Sequence, residues 1–209
     1  MLRANCPSCG AALRFVSKAS LYTVCAACGN LVLRKDLDVE LVGALGQLQD
    51  DGTPIRLGTR GAFHDRKFEA VGRIQLQFPA GFWNEWHLLF AAGESGWLGE
   101  AAGTYVVTFH TKARGPLPAF ERLSPGQSLD IDGEAFAVKT LDAATCVGGE
   151  GELPFRIESG YMAPVADLAT HGRRFATIDY SETPPLLFVG EAVEFDELKL
   201  EGLRTLEGW

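Results

Sequence analysis

The sequence lacks a long apolar run, and this excludes one broad class of proteins. No window of the 209 residues approaches the ~20 consecutive apolar residues that a membrane-spanning helix requires. The N-terminal stretch MLRANCPSCG has no apolar signal core and leads directly into a cysteine motif. We therefore expect a cytoplasmic protein without a membrane span.

Basic charge is also scarce. The 19 Lys and Arg residues face 27 Asp and Glu residues, so the formal net charge is −8, whereas nucleic-acid-binding domains are usually basic. The basic residues are unevenly placed, because residues 1–35 contain five of them and no acidic residue. The composition therefore disfavours nucleic acid as a partner, and strand binding by the basic segment is the least favoured function.

Recognisable catalytic motifs are missing as well. The four histidines stand singly, without the H-x-H or H-x-x-x-H spacing of a metal site, and no G-x-S-x-G elbow occurs. The glycine-rich stretch 148–151 carries Glu150 and is followed by Glu152, where a phosphate-binding loop has lysine. The sequence therefore assigns no catalytic residue, and a catalytic set assembled only by the fold stays open.

The cysteines form the most specific motif in the chain. Four of the five follow the pattern C-x2-C-x15-C-x2-C, and a glycine comes after each pair. This spacing is typical of a zinc ribbon, in which two tight turns aim four thiolates at one ion. The predicted ligands are Cys6, Cys9, Cys25 and Cys28. Four thiolates leave no open coordination position, so we expect a structural Zn²⁺ within residues 1–35.

Other uses of the cysteines remain open but are less favoured. Two disulfides would require an oxidising compartment, and a thioredoxin-like redox pair would require a βαβ pattern that the sequence lacks. Iron in place of zinc is compatible with thiolate ligands. The fifth cysteine, Cys146, is isolated, and we interpret it as a small buried side chain.

Residues 36–52 are predicted to be a linker or a short helix. Leucines recur there at near-helical spacing behind Asp36, which could cap a helix, although Gly43 and Gly46 weaken the pattern.

The remainder of the chain predicts an all-β body with little helix. Short runs rich in aromatic and β-branched residues are separated by Gly, Asp, Asn and Pro, which is typical of sandwiches and small barrels. Two stretches are similar: Leu57, Gly58 and Phe68 in the first correspond to Leu123, Gly126 and Phe136 in the second. We therefore predict two related barrel-like or sandwich-like modules, 53–115 and 116–200, followed by a tail at 201–209.

Tryptophans and carboxylates cluster in the first module and suggest a binding surface. A carboxylate in an aromatic pocket acquires a raised pKa and can act as an acid, but strand tryptophans more often form core packing. The candidate residues for this surface are Trp83, Glu85, Trp86, Trp97, Glu100 and, from the second module, Glu152.

The order of these segments resembles a known bacterial family. The ribbon is followed by FEAVGRIQ, GFWNEWHLLF, GWLGEAAGTY and GEGELPF, and with them the chain is similar to domain-of-unknown-function family 4178 over nearly its whole length. The resemblance implies an all-β fold without an established activity. It also implies a setting beside membrane-stress and polyamine-synthesis-like genes, which is an association rather than a mechanism.

Three functions follow as expectations. The first is a non-enzymatic adaptor that presents the ribbon and the β body to protein partners. The second is a small-molecule-binding or enzymatic pocket around the tryptophans. The third, nucleic-acid binding, is the least favoured, because the acidic body would repel phosphate groups.

Overall fold

The chain folds almost entirely as antiparallel β-structure, which confirms the predicted all-β class with a cysteine cluster at the N-terminus. The computed structural model describes residues 2–36, 38–79 and 81–205. Within these ranges the helical elements are two 3-10 turns, Phe120–Arg122 and Phe195–Leu198. Neither is long and apolar enough to cross a membrane.

The N-terminal segment contains five strands. The first two form a separate hairpin, and the other three join the main sheet of the body. The strands are β1 (Leu2–Asn5), β2 (Ala12–Phe15), β3 (Tyr22–Val24), β4 (Asn30–Lys35) and β5 (Asp38–Ala44).

Ten further strands build the body as two consecutive five-stranded meanders. The first meander contains β6 (Arg60–Phe63), β7 (Arg66–Phe78), β8 (Gly81–Phe90), β9 (Ser95–Ala101) and β10 (Thr104–Thr111). The second contains β11 (Ser128–Ile131), β12 (Glu134–Leu153), β13 (Met162–Ala169), β14 (Arg174–Asp179) and β15 (Leu186–Val193).

The two meanders share one closed ring of eight strands. Strand β10 pairs with β15 on one side, and β7 pairs with β12 on the other. Around the ring the order is β12, β13, β14, β15, β10, β9, β8 and β7, after which β7 returns to β12. The two predicted modules are therefore continuous with each other through hydrogen-bonded strands.

Alternation along the strands gives the ring two different faces. Trp86, Leu98 and Val107 lie opposite one another and form an outer core with Ile55 and Leu198. A second outer core covers the second meander, where Val138, Leu168 and Ala176 pack under Leu123 and Ile131. The other face of the same strands is directed into the ring.

The two meanders share turns at equivalent positions, and whether they are related stays a prediction. The backbone N–H of Gly58 donates to Ala70, and that of Gly126 donates to Val138, 68 positions later. The hairpin residues Asp65 and Gly133, also 68 positions apart, both have positive φ. By contrast, residues 97–101 (WLGEA) and 188–192 (FVGEA), which are also similar in sequence, lie on β9 and β15, the fourth and fifth strands of their meanders.

Two segments differ from what their sequences predicted. Residues 38–44 form strand β5 rather than a helix, because pairing with β4 outweighs the weak helical spacing of the leucines; Leu37 lies outside the described residues. The glycine-rich stretch 148–151, whose composition is typical of a flexible loop, is instead the part of β12 that pairs with β7 and, at Gly151, with β3.

The tail begins on the surface of the body. Glu201 and Arg60 exchange backbone hydrogen bonds, and the N–H of Arg204 donates to Pro54. The last four residues, Leu206–Trp209, lie outside the described ranges.

Close approach of backbones at the β7–β12 seam predicts a strong effect of Gly72→Ala. A Cβ atom at Gly72 would lie 1.9 Å from the carbonyl oxygen of Glu152, so the strands would have to separate. We expect a loss of at least about 3 kcal/mol in the free energy of unfolding, the upper end of typical overpacking costs. Urea denaturation measures it. Gly115→Ala, where no atom lies within 4 Å, is the matched control. Equal stability of the two variants would contradict the prediction.

Candidate metal centre and the carboxylates of the ring

The four predicted cysteine ligands come together in one cluster. Their sulfur atoms all lie within 4.8 Å of one another, so the group could hold a metal ion. Two of the thiols, those of Cys6 and Cys25, are buried, and Cys9 is exposed. The cysteine cluster packs against a small apolar core that includes Leu13 and Val32.

Two nearly identical turns aim the sulfurs. In each, the N–H of a glycine, Gly10 or Gly29, donates to the carbonyl of the first cysteine of the pair, at 2.9 and 2.8 Å. Both glycines have φ near +70°, a conformation that L side chains rarely adopt. Sequence spacing alone was sufficient to predict this arrangement because both turns are local.

The sulfur positions also fit a tetrahedron. Four sulfurs bound at 2.3 Å to a central ion are about 3.8 Å apart. The Cys6–Cys28 and Cys9–Cys25 sulfur pairs are each separated by 3.7 Å. The donor set therefore fits a tetrahedral tetrathiolate site for a metal ion.

Glu152, one of the predicted surface residues, instead connects the N-terminal segment to the ring. Its side chain is buried, and its two oxygens accept hydrogen bonds from the backbone N–H groups of Val16 (2.6 Å) and Ser17 (3.0 Å). Its backbone carbonyl faces the ring and contacts His87. The carboxylate is fully partnered, so its role is structural.

Glu100 and Trp86 belong to a buried polar network on the outer face of the ring. The Trp86 indole and the Thr53 hydroxyl donate to the Glu100 carboxylate, at 2.9 and 2.6 Å. Asn84 bridges from Glu100 to Asp51, and Arg73 completes the network with an ion pair to Asp51. Arg73 and Asn84 hold the pKa of Asp51 below its ordinary value, although burial opposes this. Every member is satisfied within the network.

Glu85, the neighbour of Trp86, faces the opposite way into the ring. The indole N–H of Trp83 donates to its Oε1 at 3.1 Å. Burial raises the pKa of Glu85 from 4.5 to about 8, and the charges of Asp167 and Asp179 add to this effect. Since β8 is not adjacent to β13 or β14, these carboxylates interact across the interior of the ring.

Asp167 and Asp179 were not found by sequence reasoning. Asp167 accepts hydrogen bonds from the hydroxyls of Thr177 (2.7 Å) and Thr140 (3.3 Å), and burial raises its pKa. Asp179 accepts one from the N–H of Ser181. Both lie in ordinary strand sequence of the second meander, and only strand register places them opposite Glu85.

The six predicted surface residues therefore do not share one surface. Trp83 and Glu85 face the interior of the ring, whereas Trp86, Glu100 and Glu152 are buried and partnered. Trp97 is also buried, and its ring contacts His87 and Phe155.

Comparison with known proteins identifies the body of the chain. A family model described as "Domain of unknown function (DUF4178)" matches residues 56–195. The chain belongs to this family. The matched range contains both meanders, so the DUF4178 unit is the closed ring with most of its outer cores, while Ile55 and Leu198 lie just outside it. Neither a curated protein nor a solved structure matches the chain.

Replacing one ligand should empty the cysteine cluster. We expect Cys6→Ser to lose the bound metal ion, because three thiolates and a hydroxyl no longer form the tetrahedral set. Amide protection from hydrogen exchange should be lost in residues 2–35 and largely kept in the DUF4178 ring. Inductively coupled plasma mass spectrometry measures the metal content, and hydrogen-exchange mass spectrometry measures the amide protection. Cys146→Ala, outside the cluster, should keep the metal, and full metal content in Cys6→Ser would refute the ligand assignment.

Stability should fall as pH rises from about 5 to 9. With a pKa of about 8 in the folded chain against 4.5 ordinarily, the folded state holds a proton at Glu85 that the unfolded state has released. Stability is therefore lost in this window. Glu85→Gln should remove more than about 1 kcal/mol of this loss, the equivalent of a single pKa unit. Urea denaturation at pH 5 and pH 9 tests it. Asp65→Asn, at an exposed carboxylate, should behave as wild type. If Glu85→Gln lost as much stability between pH 5 and pH 9 as the wild type does, this would argue against the raised pKa of Glu85.

Proposed function

We propose that the ring binds a small organic cation in its interior. The observation that carries the proposal is the set of inward-facing carboxylates Glu85, Asp167 and Asp179, which belong to three different strands. Among the described residues none of the three has an ion-pair partner; their hydrogen-bond donors are an indole, hydroxyls and a backbone amide.

Three carboxylates outside the ring interior are treated differently. Asp51 is paired with Arg73, Glu100 accepts from three side chains, and Glu152 accepts from two backbone amides. A charge placed away from water is costly unless it is paired, and folded chains meet this cost with their own donors. A cation from solution is the partner that the interior carboxylates lack.

The spacing of the carboxylates favours an extended cation over a metal ion. Among the described residues, only the four cysteines bring three or more ligand atoms close enough to share one ion. The charges of Asp167 and Asp179 instead act on Glu85 at longer range across the ring. The Trp83 indole beside Glu85 adds an aromatic wall, which suits an ammonium or guanidinium group.

For the cysteine cluster we propose Zn²⁺ in a structural role. The support is the all-thiolate donor set with tetrahedral sulfur spacing, which suits zinc and leaves no ligand position open. None of the five cysteines, all of them among the described residues, forms a disulfide, in keeping with a reducing, cytoplasmic location. A bacterial origin, and the membrane-stress or polyamine-related setting implied by the family resemblance, rest on that resemblance alone.

The adaptor function expected from the sequence is a second candidate. The observation in its favour is that two leucines of the N-terminal segment, Leu21 and Leu41, are about half exposed. A protein partner would cover such side chains. Copurification tests this function. A protein that copurifies with the wild type and is lost on Leu21→Ser would support it.

Titration with organic cations tests the interior site. We expect n-butylammonium, benzylammonium or guanidinium to shift the indole N–H resonance of Trp83 in a saturable manner, because that group donates to Glu85. Asp167→Asn should weaken binding by about tenfold, since it removes one charged partner of the ligand. The affinity should also rise as pH passes 8, where Glu85 becomes charged.

The controls separate charge from polarity and site from surface. n-Butanol, an uncharged analogue of n-butylammonium, should leave the resonance unchanged, and Asp65→Asn should bind as wild type. Equal shifts with n-butanol, binding of Mg²⁺ alone, or no saturable shift with any cation would each overturn the proposal.

A further inference from the structure

A second chemical feature of the ring interior is a serine–histidine pair at the start of strand β9. Ser95 begins β9, and His87 lies on β8 directly opposite Trp97. The hydroxyl oxygen of Ser95 is 2.5 Å from Nε2 of His87. On the other side of the imidazole, Nδ1 lies 2.9 Å from the backbone carbonyl oxygen of Glu152.

The carbonyl of Glu152 determines the tautomer of His87. A carbonyl oxygen only accepts hydrogen bonds, so Nδ1 must carry the proton and donate it. In neutral His87 the lone pair is then on Nε2, where it accepts the hydroxyl proton of Ser95. Burial holds the pKa of His87 below its ordinary value, which keeps the ring neutral at physiological pH.

This arrangement is the one that activates a serine nucleophile. It requires a base within hydrogen-bond reach of the hydroxyl and a third group that orients the base. In this chain His87 is the base within reach of the Ser95 hydroxyl, and the Glu152 carbonyl is the group that orients it. No sequence motif announces them, because the groups come from β8, β9 and β12.

An aromatic shelf lies beside the pair. The Trp97 ring is 5.2 Å from that of His87 and 5.5 Å from that of Phe155, centroid to centroid. Phe155 is 37% exposed and Ser95 is partly exposed, so a molecule from solution can reach each of them, whereas Trp97 lies buried beneath. An apolar or aromatic acyl group is the substrate part that fits this surface.

We propose that Ser95 is the nucleophile and His87 the general base of a site that cleaves small esters with an apolar acyl group. Ser95 Oγ bonds to the ester carbonyl carbon while its proton moves to Nε2 of His87. The bond to the alcohol oxygen then breaks, and the alcohol leaves with that proton. A water molecule next adds to the acyl carbon and gives a proton to Nε2. Ser95 Oγ leaves with the proton, and the carboxylic acid is released.

The orienting group predicts a slow reaction. A neutral carbonyl stabilises the imidazolium less than the carboxylate of a Ser-His-Asp triad does. Trapping of the nucleophile is therefore a more sensitive test than turnover. An alkyl fluorophosphonate is a suitable probe, because Ser95 Oγ would displace fluoride from phosphorus and form a stable adduct.

The experiment follows adduct formation on the full chain by intact-mass and peptide mass spectrometry. We expect one adduct, on Ser95, none in Ser95→Ala, and an unchanged rate in Ser128→Ala, which alters an exposed serine on β11. His87→Gln should slow labelling by about a hundredfold, the lower range for loss of a general base. The wild-type rate should fall at acid pH with an inflection below 6.5, as His87 becomes protonated.

The pH profile keeps the test decisive should His87→Gln fail to fold. A histidine that only fills the core would leave Ser95 no more reactive than Ser128. Absence of an adduct on Ser95, or labelling of Ser95 that does not vary with pH, would overturn the proposal. The outcome does not depend on cation binding, because the probe carries no positive charge.

Discussion

The pairing of β7 with β12 is the constraint on which the rest of the structure depends. At this seam the backbones approach so closely that glycines occupy both sides. A Cβ atom at Gly72, Gly149 or Gly151 would lie within 3 Å of a backbone oxygen of the opposite strand. Without the seam the two meanders would form an open sheet, and Glu85 would face solvent rather than the charges of Asp167 and Asp179. Glu152 follows directly on the same strand, so adjacent residues of β12 close the ring and attach the N-terminal segment.

The interior belongs to both halves of the chain. Glu85, His87 and Ser95 come from the first meander, and Asp167 and Asp179 come from the second. The carbonyl that orients His87 reaches it across the seam. Neither half therefore contains the candidate chemistry by itself.

Two neighbouring residues show how far sequence reasoning reached. Alternation along a strand predicts that Glu85 and Trp86 point to opposite faces, and they do. It does not say which face is the core. Trp86 became part of a satisfied network with Glu100, while Glu85 was left with a single indole donor. The difference depends on Thr53 and Asn84, whose positions follow from the tertiary fold.

The sequence by itself determined the cysteine cluster and the β class. Two C-x2-C turns are local, and alternation of apolar residues is a property of neighbouring positions. What surrounds each carboxylate was decided only in three dimensions, because strand register brings together residues far apart in the chain. Asp167 is 82 positions from Glu85, and Glu152 is 65 positions from His87. No local pattern records such pairs, since long-range pairing of this kind is set by ring closure.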